Sequence, residues 1–394
     1  MSREPDPSVQ ERLQRLLQFL DYDPNNVNLL LQTLELAIES GNASTADTLV
    51  AHVDSHGINV PEVHAQLAHL LLLMGSFAAA AKRGDKAIQA GIDHPVVIYN
   101  TAVAHFYSEA FIEADTLLGR LTPLDDCSRD ALCLHARTLH HLEQPLDAAT
   151  LAERALAENP GDIELMGLLA LLRYESDDNT AALDLAYEVL AEDPNQLDAL
   201  IACASANFEL GRIEPARKAW HHTTEVHPDC GRAWSGLGLL EFNEMELEQA
   251  KIHLTLAVKY MPNHIGTWHL LAWVYILENN SLEARAALNA SLELDRNFAE
   301  THGGLAVVDV MDGHEDSARL SMRRAMKLNT QGFAVYFAEL LLLKRAGKDA
   351  EADALVNRVL DSVGPNNTLS GRKLVEQWLQ AHQKDAKTAT LGQH

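Results

Sequence analysis

The sequence predicts an all-α solenoid built from ten 34-residue helix-turn-helix repeats. Three observations predict it. The phrase AERALAENPGDIELMG, from Ala152 to Gly167, returns 34 residues later as AYEVLAEDPNQLDALI. With Pro160 and Pro194 at position 32 of a 34-residue ruler, Pro228 and Pro262 share that position, and the ruler runs from Val27 to Asn366 without an insertion. Position 20 then reads Ala46, Ala80, Ala114, Ala148, Ala182, Ala216, Ala250, Ala284, Ala318 and Ala352. A period of this length marks a repeat array, because one helical hairpin cannot bury its apolar face except against its neighbours.

The elements follow in order. Residues 1–26 hold a polar start and one helix, 8–21, with Val9, Leu13, Leu16, Leu17 and Leu20 at helical spacing. Pro24 falls on position 32, so this helix is predicted to be a half repeat that caps the N-terminal end. Residues 27–366 hold the ten repeats, each long enough for two helices of about 14 residues and two short turns. Position 8 is Ala68, Ala102, Ala136, Ala170, Ala204, Gly238, Ala272 and Ala306 in the eight middle repeats. Small residues there and at position 20 let paired helices approach closely. Gly41, Gly75, Gly211, Gly313 and Gly347 occupy position 15, where a left-handed residue ends the first helix without a Cβ penalty. Proline at position 32 ends the second. The first repeat and the last two depart from the pattern: Ile58, Thr330 and Gly364 replace the proline, and Thr33 and Glu339 fill position 7. Residues 367–394 are predicted to be a capping helix, with Leu374, Val375, Trp378 and Leu379 on one face, and a short polar tail without order.

The repeats Gly231–His264 and Ile265–Phe298 carry Trp234, Leu237, Gly238, Ala250, Ala257 and Pro262, then Trp268, Leu271, Ala272, Tyr275 and Ala284. This pattern resembles the tetratricopeptide repeat family, across all ten repeats. The resemblance implies a right-handed superhelix whose concave surface is lined by positions 2, 5, 6, 9, 12 and 13 of each first helix. Position 9 is then Val103, Arg137, Leu171, Ser205, Leu239, Trp273 and Val307. Position 12 is Phe106, His140, Tyr174, Phe208, Phe242, Ile276 and Val310, and position 13 adds Tyr107, Leu277 and Met311. This implied groove is largely apolar and aromatic, which suits an extended peptide or an amphipathic helix. Trp273 and Phe242 are its expected anchors, and Trp273→Ala is expected to leave stability nearly unchanged because position 9 faces outward in the family. Against this, position 12 residues are equally expected to pack between first helices, and the groove to close on itself or on a second copy. The family's carboxylate clamp is missing: Asn100 matches one of its positions without the accompanying basic set. Glu62, Asp130, Glu164, Asp198 and Glu300 at position 2 are expected to offset helix dipoles rather than form a ligand rim.

A net charge of −25 disfavours nucleic acid and anionic membranes and suits neutral or basic partners with apolar anchors. Four cysteines without CxxC spacing read as reduced thiols, and the polar N-terminus shows no apolar leader, so a cytoplasmic place is expected. The sequence has no GxGxxG, P-loop, GxSxG or HExxH motif. Cys133, His140 and His141 lie near one another, as do His52 and His56, but neither set offers the three or four converging ligands that a metal needs. No cofactor and no catalysis are called for. The expected role is a non-enzymatic scaffold or adaptor that holds partner peptides or helices, or a second copy of the chain. The alternative is a chaperone or assembly factor that shields an apolar segment of a secreted or membrane-associated client, and the least favoured is a regulatory subunit of an enzyme.

Overall fold

A computed structural model describes residues 7–40, 43–123, 127–329, 332–357, 371–376 and 378. Among them every regular element is helical. Helix α1, Pro7–Tyr22, turns Leu13 and Leu20 into a core shared with the next helices. Ten pairs follow: α2 and α3 (Val27–Ser40, Ala43–Ser55), α4 and α5 (Pro61–Leu73, Phe77–Gln89), α6 and α7 (Pro95–Tyr107, Phe111–Leu118), α8 and α9 (Arg129–His141, Pro145–Glu158), α10 and α11 (Ile163–Glu175, Asn179–Glu192). Then come α12 and α13 (Leu197–Glu209, Ile213–Val226), α14 and α15 (Gly231–Glu244, Leu247–Tyr260), α16 and α17 (Ile265–Leu277, Ser281–Leu294), α18 and α19 (Ala299–Met311, Glu315–Leu328), α20 and α21 (Phe333–Arg345, Asp349–Leu355). Each first helix starts 34 residues after the one before it, and so does each second helix. A last helical segment covers 371–376. Gly41, Thr330, Gly364, Leu379 and the predicted tail lie outside the described residues.

The spacing has local causes. Position 15 is left-handed in all nine repeats where it is described, with φ between 58° and 81°. Glycine supplies it four times, but Glu109, Glu143, Asp177, Met245 and Asn279 adopt it as well. The same two hydrogen bonds recur at this turn: Gly75 N–H to the Leu72 carbonyl and Ser76 N–H to the Leu71 carbonyl, at 3.0 and 2.9 Å. They satisfy carbonyls that the helix end leaves open. In the two repeats where position 32 is isoleucine, a left-handed glycine one residue earlier ends the second helix, Gly57 before Ile58 and Gly91 before Ile92.

The alanine column is buried throughout, at Ala46, Ala80, Ala114 and each later member. Gly238 shows why position 8 is small, since a Cβ there would meet Leu254 at 2.6 Å. Neighbouring repeats are pinned by indoles: Trp234 Nε1 donates to the Pro228 carbonyl at 2.9 Å, and Trp268 Nε1 to the Pro262 carbonyl at 2.7 Å.

The chain divides into two compact units, Met1–Ala202 and Cys203–His394, with the division inside α12. The helix rhythm runs across that division. Each unit has its own cores.

Candidate functional site: the first-helix faces

In the N-terminal unit the first-helix face is aromatic at one place and ionic at another. Tyr107 is 59% exposed and stacks on Phe77 at 4.9 Å. Phe106 meets Tyr107, Phe111 and His141 edge-on, and Phe111 stacks on His141 at 4.3 Å. Such offset and edge contacts are the preferred geometries of π systems. Val103 and Tyr174 are half-buried, whereas Leu171 is buried.

The ionic part centres on two arginines. Arg137 reaches Asp198 at 2.9 Å and Glu164 at 3.5 Å. Arg129 bonds Asp162 at 2.9 Å and Glu164 at 2.7 Å, and holds both carboxyls below the ordinary carboxylate range. Glu164 and Asp198 therefore serve as partners of arginines from earlier repeats, beyond any effect on their own helix dipoles. Glu300 differs: burial pushes its carboxyl up, and it accepts from Ala334 N–H at 3.4 Å.

His140, Cys133 and His52 are engaged within the chain. His140 pairs with Glu175 at 2.8 Å, while Cys133 is buried and points its thiol at Glu164, at 3.9 Å. His52 bonds the Pro24 carbonyl at 2.8 Å. Asn100 bonds His69 at 2.9 Å. Among the described residues no three histidine, cysteine or acidic side chains gather where a metal would need them.

The C-terminal unit is built differently. Trp273, expected to face outward, is only 4% exposed and lies 5.1 Å from Phe333 and 5.4 Å from Phe337, ring to ring. The two phenylalanines belong to α20, two pairs farther along the chain, so the indole is enclosed by α20 and becomes core. Phe242 and Ile276 are fully buried, as is Val307, and Leu277 and Val310 nearly so. Leu239 and Met311 are half-buried. Phe208 is buried against Trp220 at 5.5 Å. The expectation of an open apolar groove here is corrected: Phe242, Trp273, Ile276, Leu277, Val307 and Val310 form one core with Met311 packed on it, while Phe208 and Leu239 belong to a second core around Trp220.

That core includes a second stretch of chain. Leu374 and Val375, from the segment 371–376, are 0% and 2% exposed and share the core with Phe242, Trp273 and Phe337. Trp378 meets the Phe337 ring edge-on at 6.0 Å. Lys373 donates to the Asn243 carbonyl at 3.3 Å, across 130 residues of sequence. Arg372 bonds Asn357 at 2.9 Å. An end cap would touch only the last pair. This segment instead touches both α14 and α20, at positions 13 and 5 of their repeats. The sequence shows its apolar face but not its destination.

Two models of the tetratricopeptide repeat match the chain, one over residues 173–240 and one over 265–298. Tetratricopeptide repeat protein 8 of Mus musculus is 22% identical over 199 residues, 50% of this chain and 39% of that protein. The chain thus spans about two fifths of the length of that relative. Among solved structures, a monomeric mutant of IFIT1 with Gppp-AAAA is similar over 96% of each chain, at a TM-score of 0.55 and 15% identity. PilF of Pseudomonas aeruginosa is similar over 57% of this chain and 97% of its own, at a TM-score of 0.47 and 16% identity. At 15% identity the likeness to IFIT1 shows the fold alone.

Proposed function

From a chain built of tetratricopeptide repeats, we propose a protein-interaction scaffold without chemistry of its own, whose first-helix faces hold helical segments through apolar anchors. The family supports a scaffold in general terms. One observation carries the finer reading: the C-terminal unit already lays a short helix along its first helices, through Leu374, Val375 and Trp378. This is recognition of an amphipathic helix in a groove, with anchors at i, i+1 and i+4. The N-terminal unit offers Tyr107 and the half-buried Phe106 on the corresponding face, where aromatic side chains suit an interface core. No helix among the described residues is long and apolar enough to cross a membrane.

The test is hydrogen exchange on the full chain, with and without helical peptides selected against it from a random library. Protection is expected on first helices such as α6, α14, α16, α18 and α20. Protection confined to second helices, or no peptide selected at all, would remove the reading.

A further inference from the structure

We infer that residues 371–376 with Trp378 are a built-in occupant of the C-terminal unit's first-helix face, which a partner helix of the same chemistry must displace. The inference rests on the scaffold reading and adds which face is regulated and by what. Three observations support it. The segment's own contacts are those of a ligand: Leu374 and Val375 are buried in the core that also holds Phe242 and Trp273, and Lys373 reaches back 130 residues to donate to the Asn243 carbonyl. Its charge is opposite to that of the molecule. Residues 371–394 carry Arg372, Lys373, Lys384 and Lys387 against Glu376 and Asp385, in a chain of net charge −25. Its removal would expose a contiguous apolar face, which proteins leave uncovered mainly where something binds. The partner that fits is therefore an amphipathic helix with a basic residue followed by two adjacent apolar residues and an aromatic three positions on, the order Lys373, Leu374, Val375, Trp378.

An intramolecular segment acts at an effective concentration near millimolar, so one whose own affinity is about 1–10 μM weakens a competing ligand by about 100- to 1,000-fold. The probe is a dye-labelled synthetic peptide of residues 368–385, titrated by fluorescence anisotropy with the full chain. One titration uses the wild type, and a second uses the triple variant Leu374→Ser, Val375→Ser, Trp378→Ser, whose folding is checked by circular dichroism. The variant is expected to bind at least tenfold more tightly than the wild type, and a peptide carrying the same three serines is expected not to bind. Equal affinity for wild type and variant would overturn the inference and leave the scaffold reading standing. A folded variant that does not bind the peptide would overturn both. Should the triple variant lose its helical signal, Lys373→Glu breaks only the exposed end of the contact. It is expected to tighten peptide binding in the same direction, and unchanged affinity overturns the inference. A wild-type mass of two chains that falls to one in the triple variant would assign the segment to a second copy and overturn its intramolecular placement.

Discussion

Trp273 shows how far a single residue can depart from its sequence position. Its place in the ruler made it an outward anchor, but Phe333 and Phe337 enclose it. Trp273→Ala is therefore expected to cost about 3–5 kcal/mol, as for other large core aromatics, seen as a drop in the urea midpoint. An unchanged midpoint would return the indole to the surface. His269 is a second residue whose surroundings set its behaviour. It bonds Ser291 and Thr301 at 3.1 and 2.8 Å beside the Phe298 ring, and burial lowers its pKa to about 4. The unfolded imidazole titrates near 6.5. Between those values the unfolded chain takes up the proton more readily, so stability falls as pH drops through 6.5 and stops falling from this cause near pH 4. At pH 5 the loss is about 2 kcal/mol. Wild type should lose that much more than His269→Gln between pH 7 and pH 5, and parallel losses would deny the burial.

At the scale of the helix and its turn, the sequence was a good guide. Small residues at positions 8 and 20 and the fixed spacing place every helix start, because backbone approach and helix length are local constraints. Proline and glycine are only one way to end a helix, however. Five turns are left-handed with Glu, Asp, Met or Asn at position 15, since the hydrogen bonds of the turn outweigh the Cβ penalty. Gly211 has no atom within 4 Å of where a Cβ would stand, so Gly211→Ala isolates that penalty. It is expected to lower stability by about 1 kcal/mol, and Glu143→Gly, which removes an exposed side chain from the same left-handed position, to raise it by a similar amount. Thermal melts of the two variants shifting in the same direction would refute the shared turn geometry.

For each unit as a whole, repeat position alone was insufficient. The implied groove positions share one place in the ruler, yet Tyr107 is largely exposed while Leu277, at the same position, is 5% exposed. The difference lies in contacts between stretches far apart in sequence, namely α20 folding over α16, and Lys373 and Trp378 reaching α14 and α20. No periodicity encodes such contacts. Charge offered a hint, since the C-terminal stretch is basic in an acidic chain. The aromatic string through Phe77, Phe111 and His141 was missed because position 17 was not counted among lining positions, although two consecutive repeats place phenylalanine there.

The reach from Lys373 back to Asn243 also bears on how such a gene can change length. Repeat arrays grow and shrink by unequal recombination, and a duplicated repeat survives when it meets only its neighbours. Duplicating residues 61–94 adds such a repeat, and the lengthened protein should keep the parent's helicity and unfold at nearly the same temperature. Duplicating 265–298 instead drives Asn243 and Phe337 apart by one repeat and strands the terminal helix between them. That protein should melt earlier, and equal melting of the two would mean that the back-reaching contacts carry no weight. Heredity is thus free to edit one stretch of this molecule in whole repeats, while the other has a fixed length because its last helix measures it.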